Sequence, residues 1–298
     1  MSERSRGLAM AVVALAMPLV AVRAQQKVQV GRAVTSTASI RFFAAVGELQ
    51  VIGWDRDSLD MSGVVQSGSH VEVAGGTLGQ KATGMKMFIE APSEQSGREG
   101  KLVLRVPHGA RLWLKTGSAD MDITGMTGGL DLNVVGGSIT VHGNARDVRA
   151  ESMDGKVTID GSPEWLRAKT ATGDIILRGG QDVGASTISG MIRTSGGEVE
   201  RAKLESTTGA ISFSSALMRG ASVELESHSG AIDILFPPRS DVDLDAATIT
   251  GSITNGWTNT RPANGSEGRG MTLVTSRGTG GARMVVRTFK GTVQVRGK

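Results

Sequence analysis

The stretch "SMDGKVTID", residues 152–160, has two readings. Asp154-Gly155 between alternating apolar and polar residues is a strong signal for the tip of a β-hairpin. It can equally be one instance of a corner that the whole chain repeats. Aligning the chain on the turn glycine decides for the second. Gly117, Gly137, Gly155, Gly173, Gly190, Gly209, Gly230, Gly251 and Gly291 fall into one register, with successive spacings of 20, 18, 18, 17, 19, 21, 21 and 40 residues. Periods near 20 residues are a signature of solenoids.

The flanks keep one parity. Two residues after the glycines stand Ala119, Ile139, Val157, Ile175, Ile192, Ile211, Ile232, Ile253 and Val293, and apolar residues recur seven and five positions before them, from Ala110 and Leu112 to Met284 and Val286. Such alternation marks the buried face of a strand, so each unit has two short strands joined at the glycine. Three residues before the glycine the inward position is mostly a hydroxyl: Ser152, Thr170, Thr187, Ser206, Ser227, Thr248 and Thr288. A repeated hydroxyl with no repeated His beside it reads as a means of satisfying turn backbone, since a nucleophile needs an adjacent base. The residue before the glycine varies through Thr116, Gly136, Asp154, Thr172, Ser189, Thr208, Ser229, Thr250 and Lys290, so only the glycine is shared. One left-handed residue per corner suits a bend between two sides of a coil. The expectation is an all-β, single-stranded parallel β-helix (β-solenoid) with coils of about 17–21 residues stacked about 4.8 Å apart, preferred to an antiparallel meander or sandwich.

Composition agrees. The 298 residues include 42 Gly, 7 Pro, no Cys, no Tyr and 3% aromatic residues, which suits narrow coils of small and β-branched side chains. Arg4 and Arg6, an apolar run from Leu8 to Val22, and Val22-Arg23-Ala24 make residues 1–24 a secretory signal peptide cleaved after Ala24. The mature chain is therefore expected outside the cytoplasm, in the periplasm or at the cell surface, with no membrane span of its own. Without Cys there is no lipid anchor through that residue, no disulfide and no thiolate metal site. Glu3, Arg4, Arg6 and Arg23 contribute +2 of the formal +4, leaving a mature chain near +2, which is no footprint for nucleic acid.

Residues 25–106 read as a β-rich N-terminal cap and 107–298 as the solenoid repeats. "IRFFAAVGELQVIGWDRD" (40–57) carries the repeat phase around Gly47, and "NGWTNTRPANGSEGRG" (255–270) reads as a projecting loop with Trp257 closing a coil at its base.

The strings "GELQVIGWDRD" (47–57), "LVLRVPHGARLWLKTGSADMDITGMTGGLDLNVVGGSITV" (102–141), "TATGDIIL" (170–177) and "SHSGAIDI" (227–234) together resemble a bacterial adhesin-like family of exported β-strand-repeat domains of unknown function. The resemblance spans roughly residues 40–298. It implies an exported β-helix and an adhesin-type role, and supplies no catalytic residues.

Chemistry is sparse. His70, His108, His142 and His228 share no repeat column and no metal-binding spacing, and "GTGGAR" (278–283) lacks the βαβ setting of a nucleotide loop. No cofactor is expected. The outward columns four and six residues before each glycine place Glu205 beside Glu226 and Glu224 beside Asp245, a weak candidate patch for a hard cation opposed by Lys203. The same columns carry Arg149, Arg167, Lys169 and Lys203, a candidate anion-binding strip. The leading expectation is a non-enzymatic, adhesin-like envelope protein, monomeric, with an envelope, glycan or protein ligand. The alternatives are a polysaccharide lyase or hydrolase using Asp120, Asp122 and Asp131, and a scaffold that polymerises through its ends.

Overall fold

The computed structural model describes residues 25–76, 79–93, 100–265 and 268–298. The signal peptide expected at residues 1–24 lies outside the described residues, as do two positions of the projecting loop. No α-helix occurs among the described residues; the chain forms one continuous 24-stranded sheet.

The alternating segments form strands in pairs, one on each side of a narrow coil. In the middle of the chain these are β7 (Arg111–Thr116) with β8 (Asp120–Thr124), β9 (Leu130–Val134) with β10 (Ile139–His142), β11 (Asp147–Ser152) with β12 (Val157–Asp160), and β13 (Trp165–Lys169) with β14 (Ile175–Arg178). β15 (Asp182–Thr187) leads into two long strands that bend from one side of the stack to the other, β16 (Ile192–Ser206) and β17 (Ile211–Ser227), followed by β18 (Ile232–Phe236). Like sides pair in parallel: β7, β9, β11, β13 and β15 form one ladder, and β8, β10, β12 and β14 the other. Their inward residues, such as Leu132, Ala150, Ala168, Ile139, Val157 and Ile175, are at most 1% exposed and make a dry strip of core between the ladders.

Two expectations are corrected at the corners. The glycines are not left-handed: of the nine, only Gly137 has a positive φ, at 132°. What each corner demands is room. A Cβ on Gly155 would lie 1.7 Å from the Gly137 carbonyl oxygen of the coil beneath, one on Gly173 would lie 2.0 Å from that of Gly155, and one on Gly190 would lie 1.9 Å from that of Gly173. The second correction is Gly117, which is not a corner. A Cβ on Gly137 would meet the Ala119 oxygen, Met121 pairs with Ile139, and Leu112 pairs with Leu130, so Ala119 occupies the corner and the first interval is 137 − 119 = 18 residues.

The hydroxyls do what their position suggested. The Gly155 amide donates to Ser152 Oγ at 2.9 Å and Ser152 Oγ donates to the Gly137 carbonyl at 3.0 Å, tying a turn to the coil below. Thr187, Ser227, Thr248 and Thr288 accept from the glycine amide three residues on in the same way. Ser206 Oγ is buried without a protein partner.

Coils at both ends stack out of chain order. The N-terminal strands are β1 (Gln25–Ala44), β2 (Glu48–Trp54), β3 (Ser58–Gln66), β4 (His70–Ala74), β5 (Ala82–Glu90) and β6 (Lys101–Pro107). The second half of β1 lies between β5 and β7, and β2 between β6 and β8, so the earliest coil is inserted beneath β7/β8 and the later β5/β6 coil lies outside it. β4 closes over β5, and β3 with the first half of β1 closes over β6, all antiparallel.

The C-terminal strands repeat the device: β19 (Val242–Thr248), β20 (Ile253–Gly256), β21 (Ala263–Asn264), β22 (Met271–Arg277), β23 (Ala282–Thr288) and β24 (Val293–Gly297). β23 lies between β17 and β19, and β24 between β18 and β20, while β22 covers β19 antiparallel. The 40-residue interval is thus no enlarged coil in a sequential stack. Gly291 packs on Gly230, and Gly251 packs on Gly291.

Candidate functional site

The parallel register lines up outward side chains across the first ladder. One column runs Trp113, Asp131, Arg149, Arg167, Gly184, Lys203, Glu224, Val285 and Asp245; its neighbour runs Lys115, Asn133, Glu151, Lys169, Ser186, Glu205, Glu226 and Arg287. Arg149, Arg167 and Lys169 are therefore brought together as the sequence suggested, but most of their charge is met locally. Arg149 pairs with Glu151 at 2.7 Å, which raises its pKa, and Arg167 leans across Gly184 to Asp182 at 2.8 Å. Burial pushes the Asp182 carboxyl up, but hydrogen bonds from Arg167 and Arg201 outweigh it and hold the pKa below the usual range. Lys203 bridges Glu205 at 3.1 Å and Glu224 at 3.5 Å, and these contacts raise its pKa. Lys169 has no ion-pair partner among the described residues. A depression of about 420 Å³ opens where Gly184 and Ser186 present little side chain between these charges.

The carboxylate patch is not assembled as the sequence register placed it. Glu205 does neighbour Glu226, but Val285 separates Glu224 from Asp245, and Arg287 pairs with Asp245 at 2.9 Å. Among the described residues no group of three or more His, Asp or Glu side chains is placed to hold a metal ion. Burial, a hydrogen bond with Glu224 and that residue's charge all raise the pKa of Glu226.

Other singled-out residues are dispersed. Asp120 and Asp122 project from β8 in the second ladder and Asp131 from β9 in the first, so the three do not flank one groove. Asp120 accepts from the Ser138 amide and hydroxyl, which lowers its pKa. His108 contacts Asp55 and His228 stacks on Phe289. Trp257 is 7% exposed and packs on Phe236, closing the last coil. The Gly-rich 278–281 turn wraps the Asp241 carboxylate with three amides and the Thr279 hydroxyl, so its donors are filled from within the chain.

Sequence reasoning missed the aromatic side chains on the same outward face. Phe88 stacks on Phe43 at 4.9 Å, Phe43 meets Trp113 edge-on at 5.0 Å, and Trp165 packs under the Arg167 guanidinium at 4.6 Å. Trp113 is 36% and Trp165 37% exposed. The available signal was their outward parity in a chain with so few aromatic residues.

Residues 34–296 match the Toastrack DUF4097 family, and so nearly the whole folded chain carries that family's pattern. The chain belongs to the Toastrack DUF4097 family. No curated protein matches it. Among solved structures, this Toastrack chain is similar to a putative cell adhesion protein from Clostridium sporogenes, at 10% identity over 92% of this chain and 99% of that one, with a TM-score of 0.24. A putative adhesin from Bacteroides fragilis is 10% identical over 92% and 98%, with a TM-score of 0.40. A putative lipid binding protein from Parabacteroides distasonis is 12% identical over 91% and 96%, with a TM-score of 0.42. No helix among the described residues of the Toastrack chain is long and apolar enough to cross a membrane.

Proposed function

We propose that this chain is an exported, adhesin-like envelope protein that acts without catalysis, its coils forming a single-stranded parallel β-helix that serves as a rigid binding and display surface. In this reading residues 25–106 seal one end of the stack, and 107–298 supply the repeats whose flank does the work. The observation that carries it is the outward face of the first ladder. Exposed Trp113 and Trp165 and half-buried Phe43 and Phe88 stand there on outward positions rather than in the core, amid interleaved guanidinium and carboxylate groups. Exposed aromatics held on strands rather than loops have little conformational freedom to lose on binding, which favours recognition. The signal peptide expected at residues 1–24 and the adhesin-like family resemblance support a site of action in the periplasm or at the cell surface.

The test is a binding screen of the purified mature protein against envelope polysaccharides, peptidoglycan fragments, lipid vesicles and host matrix proteins, with turnover followed in parallel. Saturable binding without product formation is the expected result. Cleavage of any glycan, or no binding to any component, would overturn the reading.

A further inference from the structure

The outward face of the first ladder holds a second depression, of about 520 Å³, lined by Trp113 and Trp165 together with Arg111, Asp131, Asp147 and Arg149. We propose that this depression is a carbohydrate-binding site for a linear oligosaccharide containing uronic acid units, laid along the stack axis. The inference rests on the binding-surface reading above and gives it a place and a ligand class.

Gly129 opens the site. It stands in register between Arg111 and Asp147, and a Cβ there would reach only ordinary contact distances, 3.5 Å from Arg111 Nε and 4.0 Å from Asp147 Oδ2. The two indoles come from coils three steps apart, roughly 14 Å at the spacing of parallel strands. That is the span of a short linear oligosaccharide. Each indole has a guanidinium over its ring, Arg41 at 5.5 Å from Trp113 and Arg167 at 4.6 Å from Trp165, and each still lines the depression. An exposed indole held by its neighbours is a platform for the C–H face of a pyranose, whose polarised hydrogens meet the negative face of the ring.

The polar groups between the platforms suit the rest of a sugar. Hydroxyls both donate and accept, so they need carboxylates and guanidiniums side by side, which Asp131, Asp147 and Arg149 provide. Asp147 is paired with Arg146 at 3.2 Å, Arg149 with Glu151 at 2.7 Å, and Asp131 accepts from Asn133 at 2.7 Å. Arg111 has no ion-pair partner among the described residues. Arg41, also on the lining, has its guanidinium over Trp113, which leaves that of Arg111 to take a sugar carboxylate in two parallel hydrogen bonds. A polyol phosphodiester chain fits less well, because it offers the two indoles no pyranose face.

The experiment is calorimetric titration and tryptophan fluorescence of the mature protein with a linear oligouronate, and with a neutral β-glucan oligomer of equal length. The oligouronate is expected to bind with a change in indole emission. Trp113→Ala and Trp165→Ala should each raise Kd at least tenfold. Arg111→Gln should remove the preference over the neutral oligomer. Because Trp113 also packs on Phe43, Gly129→Gln serves as the second variant: it fills the depression, leaves both indoles in place, and should abolish binding with the melting temperature retained. No oligouronate binding, or binding that Gly129→Gln and Trp165→Ala leave intact, overturns the proposal. If another envelope component binds equally to wild type and Gly129→Gln, this site fails while the binding-surface reading stands.

Discussion

At the scale of single residues, crowding is what requires glycine at the corners. The nearest neighbour of a Cβ at Gly190 is a backbone oxygen at 1.9 Å, which no rotamer change can relieve. Gly190→Ala should therefore cost about 3 kcal/mol or more, as severe overpacking does. Gly117→Ala meets nothing within 4 Å at a φ outside the left-handed region, and should be neutral or stabilising by up to about 1 kcal/mol, because it restricts only the unfolded chain. Thermal melts of the two variants check both the size and the contrast. Glu226 supplies a test by pH. Its carboxyl is raised above the ordinary value by burial and by Glu224, so the folded state disfavours its charge. That cost is present above the folded pKa and is relieved as pH falls through it toward the ordinary glutamate value. Glu226→Gln should thus melt higher than wild type at pH 7, and the gap should close as pH approaches roughly 4. A gap that stays constant with pH would show that the charge is not its cause.

At the scale of elements, the repeat was legible because each coil carries its own evidence: inward apolar parity, a hydroxyl, a glycine. The corner at Ala119 was not legible, since a slip of two residues keeps every side chain on the same face and the alternation cannot register it. Left-handedness and close approach both call for glycine, so the residue type alone does not tell them apart. The order of the end coils was hidden for another reason. Nothing local in β23 (282–288) says that it lies beneath β19 rather than above it; only pairing with β17 on one side and β19 on the other decides, and such contacts are remote in sequence. The same holds for the site: outward charges could be tabulated, but the Arg287–Asp245 pair that breaks up the carboxylate patch depends on that order. The insertion has a consequence for stability. Deleting residues 282–298 removes the coil on which β19 and β20 rest, so the amides of 242–248 that face away from β22 should lose hydrogen-exchange protection while those of β11 to β14 keep theirs. Protection retained at those amides would mean that β19 packs directly on β17.

At the scale of the whole molecule, inserting an early coil and the last coil one step inward does two things. The inserted strands β2 and β24 gain neighbours on both sides, and the outer coils are free to be covered by antiparallel strands, β3 and β4 at one end and β22, over β19, at the other. Covered ends resist the edge-to-edge pairing that open stacks invite. Light scattering should accordingly give the mass of one chain across a wide concentration range, and growth of the mass with concentration would favour end-to-end assembly. A stack closed at its ends offers its flanks for recognition, which is where the exposed indoles stand. The stacking order underlies both the closed ends and the outward columns, and the absence of native Cys makes it directly measurable. Paired cysteines should be placed at Glu224 and Val285, and separately at Glu224 and Asp245, and oxidised under mild conditions. One step of the ladder, about 4.8 Å, is within disulfide reach and two steps, about 9.6 Å, are not. The 224–285 pair should close rapidly and the 224–245 pair remain reduced; closure of 224–245 in preference to 224–285 would contradict the inserted order of β23 between β17 and β19.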